Sequence, residues 1–163
     1  MTNSTMARRS VIALSLLCAA LNSSSAQTAN DVVGSYTLVS FTNQEGEKKT
    51  ESYGPAPKGM MILDANQKYV VVLMRSDLPK FASNNRRTGT AEEYKAVATG
   101  SFTHFGSYTV TDGHIIFRLE KTTFPNWDGQ EQKRALTITG DELKYAVASS
   151  IGGTSTVVWR RIK

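Results

Sequence analysis

Cysteine is all but missing from this chain. One, Cys18, stands among 163 residues, inside an apolar run near the start. Arg8 and Arg9 precede that run, VIALSLLCAAL carries it from Val11 to Leu21, and NSSSA follows. A basic start, an apolar stretch of about a dozen residues and small residues three and one before a cut make an export leader. Ser24 and Ala26 fill those two positions, so cleavage is expected after Ala26 and the protein is expected to be periplasmic or secreted. The run is short for a bilayer span of about 20 residues, so no stable span is expected once the leader is removed. Leu17 occupies the place where lipidation of Cys18 would want a small residue. The arginine pair does not separate a twin-arginine route from the general one. Residues 27–163 then carry no internal disulfide, thiolate nucleophile or cysteine metal site.

Histidine is nearly as scarce. His104 and His114 are the only two, ten apart and without clustered carboxylates, which is not the spacing of a zinc site. The nucleophile elbow GxSxG, the phosphate loop GxxxxGK[ST] and the dinucleotide fingerprint GxGxxG are all absent, so no cofactor is indicated. Charge of one sign is also thin. Losing Arg8 and Arg9 takes the formal net charge from +5 to +3, too little to argue for nucleic acid.

What remains is short segments with period-two alternation, separated by turn residues, the pattern of an antiparallel all-β protein. Residues 27–163 form one domain, large enough to bury roughly two-thirds of its unfolded surface. Strands are expected at Ser35–Thr42, Gly59–Leu63, Lys68–Met74, Ser101–Val110, His114–Thr123, Gln130–Ile138, Glu142–Ala148 and Thr154–Ile162. NQEGEKK reads as a polar exit, Gly54-Pro55-Ala56-Pro57 as a rigid entry, and Ser76–Thr88 as a long polar connection. Thr90-Ala91-Glu92-Glu93 fits a capping box and opens one helix, about 91–99, which Gly100 ends. Eight strands with short sequential connections close into an up-and-down barrel whose interior can hold one small ligand. A two-sheet sandwich is the alternative.

Lys121–Arg134, KTTFPNWDGQEQKR, breaks this alternation with Phe124 and Trp127 in a loop. Aromatics at a barrel end can fold over its opening as a rim or plug, with Pro125 stiffening the turn. Pairing Thr123 with Gln130 sets Glu120 opposite Lys133, Leu119 opposite Arg134, Phe117 opposite Leu136 and Ile115 opposite Ile138. One face is then Ile115, Phe117, Leu119, Leu136 and Ile138, and Arg134 falls on it too. A guanidinium cannot shed its charge, so an inward arginine needs a carboxylate, an aromatic face, loop carbonyls or an anionic ligand. It either braces the loop from the barrel end, stacked on Trp127, or meets a ligand.

GSYTLVS, YGPAPKGMMIL, LMRSDLPKFAS, FGSYTV, FPNWDGQ and VVWRR occur in this order over Asp31–Lys163. Together they resemble the small lipocalin-like domain family. The resemblance implies a calycin-type antiparallel barrel with a central cavity, in a group whose barrels mainly bind small apolar molecules. Tyr36 stands where lipocalin-like sequences commonly carry Trp, and with Arg160 or Arg161 it can close the barrel bottom in the same way.

The candidate ligand-binding residues are Arg75, His104, Tyr108, Phe117, Trp127 and Arg134. Each has a plainer role beside it. Arg75 ends a strand and can be a rim residue, His104 can be a satisfied structural residue, and Phe117 can be packing. His114 follows the Asp112-Gly113 turn as a solvated strand start. The leading reading is a binder of a small apolar or amphipathic molecule, anionic ones included. Against it stand an enzyme using His104 or Tyr108 in isomerisation, cyclisation or hydrolysis, and a barrel filled by Tyr69, Phe117 and Trp159.

Overall fold

Alternation decides which side chains go inside, and every strand that matters here obeys it. The computed structural model describes residues 28–149 and 152–163; the leader and its expected cut after Ala26 lie outside the described residues. Nine strands follow one another antiparallel: β1 (Gly34–Glu45), β2 (Lys48–Glu51), β3 (Lys58–Leu63), β4 (Lys68–Met74), β5 (Ser101–Thr111), β6 (His114–Thr122), β7 (Glu131–Thr139), β8 (Glu142–Ala148) and β9 (Thr154–Arg161). β1 pairs with β3 on one edge and β9 on the other, which closes eight of them into a barrel. Tyr69, Val71 and Leu73 of β4, Ile115, Phe117 and Leu119 of β6, and Val157 and Trp159 of β9 fill it, each fully buried.

The eight-stranded barrel and the single sizeable helix are as expected; the helix, α2 (Ala91–Gly100), begins at the capping box. Thr90 Oγ1 accepts the Glu93 amide at 3.2 Å while the Glu93 carboxylate accepts the Thr90 amide at 2.7 Å. Two elements differ. NQEGEKK is a hairpin rather than an exit: β1 runs on through a bulge between Leu38 and Ser40 and folds back at Gly46 into β2, a ninth strand. A bulge raises local twist, which lets this long strand leave β3 and take β2 as its neighbour. A short helix, α1 (Ala29–Val32), also precedes β1.

The second difference is register. β6 and β7 pair as His114↔Ala135, Ile115↔Arg134, Phe117↔Gln132 and Arg118↔Glu131, four residues away from the expected alignment. Leu119 donates to Gln130 O at 2.9 Å and accepts from Gly129 at 2.8 Å, so the ladder stops at Leu119 rather than Thr123. Lys121 and Thr122 stay paired with β5 instead. Asp128 accepts the Thr122 amide at 2.9 Å, and Pro125–Trp127 coil into one 3₁₀ turn. A shift of four preserves parity, so the inward face survives. Arg134 therefore lies deeper in the barrel, opposite Ile115. The charged cross-strand pair becomes Arg118–Glu131 at 3.0 Å, in place of Glu120–Lys133.

The two ends differ. At one, Arg161 lies 4.9 Å from the Tyr36 ring centroid and donates to Asp31 O at 2.6 Å and to Val33 O. Tyr36 donates to Val32 O at 2.7 Å, and Val32 is fully buried. This Tyr–Arg–α1 cap closes the bottom. α2, the 3₁₀ turn, the β2–β3 connection and Ala148–Ser149 gather at the opposite end.

Candidate functional site

The opposite end is open. A cavity of about 540 Å³ descends from it into the barrel. Trp127, Phe124, Phe102, Phe41 and Tyr53 form its upper aromatic wall, and Leu73, His104, Arg134, Tyr145 and Ser155 its lower part. Trp127 packs edge-on to Phe102 at 5.5 Å and to Phe124 at 5.4 Å, so the two loop aromatics do form a rim. Phe117 lies beneath, in ring contact with Tyr69 at 4.5 Å, His104 at 5.9 Å and Tyr145 at 5.9 Å. The barrel is thus filled in its closed half and hollow in its open half.

Among the described residues, Arg134 is the one charged residue lining this space. It is 4% exposed. Its guanidinium carbon sits 4.7 Å from the Phe117 ring centroid and 4.8 Å from that of Tyr145, seated in the notch between the two rings. Stacking on Trp127 does not occur; the register shift carried the arginine past the rim to these deeper rings. Of the five N–H groups of a guanidinium, one reaches an acceptor among the described residues, Gln132 Oε1 at 2.6 Å. Nε is buried without a partner, and no carboxylate pairs with Arg134 among the described residues.

His104, 1% exposed, meets the Tyr69 hydroxyl through Nδ1 at 2.9 Å. Burial, aided by the nearby Arg134 charge, holds His104 well below the usual imidazole range. Burial likewise pushes the Tyr69 phenol far up, against the pull of Arg134. It raises Tyr53 to about 12, with Tyr145 adding to the shift. At neutral pH these groups carry no charge, which leaves a single positive centre in an aromatic cup.

Not every candidate gathers here. His104, Trp127 and Arg134 line the cavity and Phe117 floors it. Tyr108 belongs to the closed half: its hydroxyl donates to Asp64 O at 2.8 Å in the β3–β4 turn. Arg75 stands outside, in a two-bond pair with Asp77 at 2.8 and 2.7 Å. Sequence reasoning missed Gln132 and Tyr145. Both were within reach of alternation, Gln132 two residues before Arg134 and Tyr145 two after the buried Leu143.

A closed antiparallel barrel, capped at one end and hollow at the other around a buried cation, defines a cavity-bearing barrel protein. Residues 33–162 match the lipocalin-like domain family, and the chain belongs to it. A curated relative, the 4'-hydroxy-3'-methoxypropiophenone carrier protein of Aspergillus oryzae, is 28% identical over 103 residues, 55% of this chain and 93% of that protein. Among solved structures, a redesigned β-barrel overlays with a TM-score of 0.46 at 14% identity, covering 86% of this chain and 100% of that one. An uncharacterised protein from Bacteroides eggerthii overlays at 0.41 with 14% identity, covering 80% and 98%.

Proposed function

We propose that this protein binds a small amphipathic molecule in the open half of the barrel and carries it outside the cytoplasm. The observation that carries the reading is the cavity of about 540 Å³ whose aromatic wall surrounds a buried, nearly unpartnered arginine. An apolar body fits the rings and a polar end meets the cation. The name of the Aspergillus oryzae relative, a carrier for an aromatic ketone, supports the same direction. Burying about 300 Å² of apolar ligand contributes roughly 7 kcal/mol gross. Association costs reduce that to affinities on the order of micromolar. The catalytic alternative has less support, because burial and Arg134 both disfavour the imidazolium that a general base at His104 would become.

Titration of the purified protein with 4'-hydroxy-3'-methoxypropiophenone, followed by Trp127 fluorescence and native mass spectrometry, tests the reading. Saturable one-to-one binding that Val147→Trp abolishes by filling the mouth is expected. Binding of this probe unaffected by Val147→Trp would place the ligand elsewhere. Export, supported by the pattern from Arg8 to Ala26, predicts Gln27 as the N-terminus of protein recovered from the periplasm or medium. Recovery of an intact chain from the cytoplasm would sink that part.

A further inference from the structure

Two side chains with donors to spare among the described residues line this cavity, and they share a floor. Arg134 and His104 both line the space, and both rest on Phe117, at 4.7 Å and 5.9 Å from its ring centroid. The arginine spends one N–H on Gln132. The two rings beneath it supply only their faces and Nε is buried without a partner, so the terminal N–H groups not spent on Gln132 are the ones a ligand in the hollow can meet.

The histidine tautomer follows from hydrogen-bond satisfaction. The Tyr69 side chain is buried, and its one hydrogen-bond partner among the described residues is His104 Nδ1. A buried hydroxyl hydrogen needs an acceptor. If Nδ1 carried the proton, it would donate to Tyr69 and leave the phenol hydrogen unaccepted. Tyr69 must therefore donate to Nδ1, which puts the imidazole hydrogen on Nε2. No described residue accepts from Nε2, and Nε2 is the nitrogen left to the cavity.

The remaining titratable groups facing the site are Tyr53 and Tyr145, and no Asp, Glu or Lys lines it. No described residue lining the cavity supplies the negative charge that a buried guanidinium needs. We propose that the cavity takes its ligand as an anion: a planar weak organic acid whose ionised oxygen accepts from both Arg134 and His104 Nε2–H, with Tyr69 as the positioning residue that fixes the donating tautomer. This rests on the binding reading above and specifies its ligand class. A neutral analogue of the same shape fills the same rings but leaves the cation unmatched, so the site discriminates by charge rather than by outline.

The test uses 4-nitrophenol, whose acid and anion absorb at different wavelengths, beside its methyl ether 4-nitroanisole, which cannot ionise. On the wild-type protein the bound nitrophenol should titrate at least about one pH unit below the free compound, equivalent to roughly tenfold tighter binding of the anion. Nitroanisole should bind more weakly. Arg134→Gln should erase the displacement, and Arg134→Lys, which keeps the charge, should retain it. Nitrogen-15 shifts of the wild-type imidazole, which require no variant, should show the Nε2–H form of His104, and Tyr69→Phe should release that preference. The inference is overturned if bound nitrophenol titrates at its free value, if Arg134→Gln keeps the displacement, or if His104 is the Nδ1–H form. Nitroanisole binding without any displacement would sink the anion idea alone, whereas failure of both compounds to bind would overturn the binding reading with it.

Discussion

Replacing Arg134 by methionine should make the ligand-free protein more stable. The guanidinium is 4% exposed and unpaired with any carboxylate among the described residues. Its compensation is one hydrogen bond to Gln132 and two ring contacts. A hydrogen bond to a charged group contributes about 1.5–3 kcal/mol, and each desolvated ring contact about 1–2 kcal/mol. Against these stands an effective desolvation penalty of several kcal/mol. The balance for the arginine is near zero, whereas a buried methionine on the same rings contributes about 2 kcal/mol by apolar burial. Gln132, partly exposed, can turn its freed carbonyl to water. Arg134→Met is thus expected to gain about 1–2 kcal/mol over wild type, raising Tm by about 3–8 °C for a domain of this size. Urea unfolding of both proteins without ligand, followed by circular dichroism, measures it. A loss of more than about 1 kcal/mol would refute the reasoning, since the arginine would then hold the barrel together rather than await a ligand.

Three further outcomes follow from the same geometry. Because His104 is held below its unfolded value of 6.5, its contribution is fully present above that pH and is lost as pH falls toward its folded value. Wild-type stability should drop below about pH 6.5 by up to about 1.4 kcal/mol per unit, and His104→Gln should flatten that limb in a pH series of urea melts. The carboxylates Asp31, Asp77, Glu93, Asp128 and Asp141, all shifted down, act at lower pH and should be unaffected. Trp127 lies at the mouth and Trp159 is fully buried, so Trp127→Phe should remove the ligand-dependent fluorescence change and Trp159→Phe should not. Arg161→Ala should destabilise by about 2–3 kcal/mol through loss of two hydrogen bonds and a cation–π contact, each weakened because the side chain is partly exposed. It should also free the amides of residues 29–32 to exchange, as read by hydrogen–deuterium mass spectrometry.

The fold was legible because its information is local. Capping residues at Thr90 and Glu93, turn pairs such as Asp112-Gly113, and alternation in each strand need no knowledge of distant contacts. The extra strand was not legible for the opposite reason. Lys48–Glu51 reads as polar loop, and becomes a strand because β1 is long enough to offer it an edge. Gly106 shows the same limit. A Cβ there would come 2.1 Å from the Arg118 carbonyl oxygen, so glycine is required where β5 bulges against β6, yet nothing beside it in the sequence announces the bulge.

For the site, parity was readable and depth was not. Any even register leaves Arg134 inward, so the sequence alone raised the right question about an arginine among apolar residues. Depth depends on where the β6–β7 ladder ends, and that is settled by Asp128 capping Thr122 and by β5 retaining Lys121 and Thr122. Those interactions join three segments. Depth in turn decides the chemistry. At the barrel end, Arg134 would face water, Trp127 and loop carbonyls, and a surface cation requires no partner. Four residues of pairing deeper, it is 4% exposed and sits on Phe117 and Tyr145 near His104, where a missing countercharge is felt. The same four-residue slip that a face assignment tolerates converts a rim arginine into a buried cation, which makes the ladder end at Leu119 the structural feature on which the proposed ligand class rests.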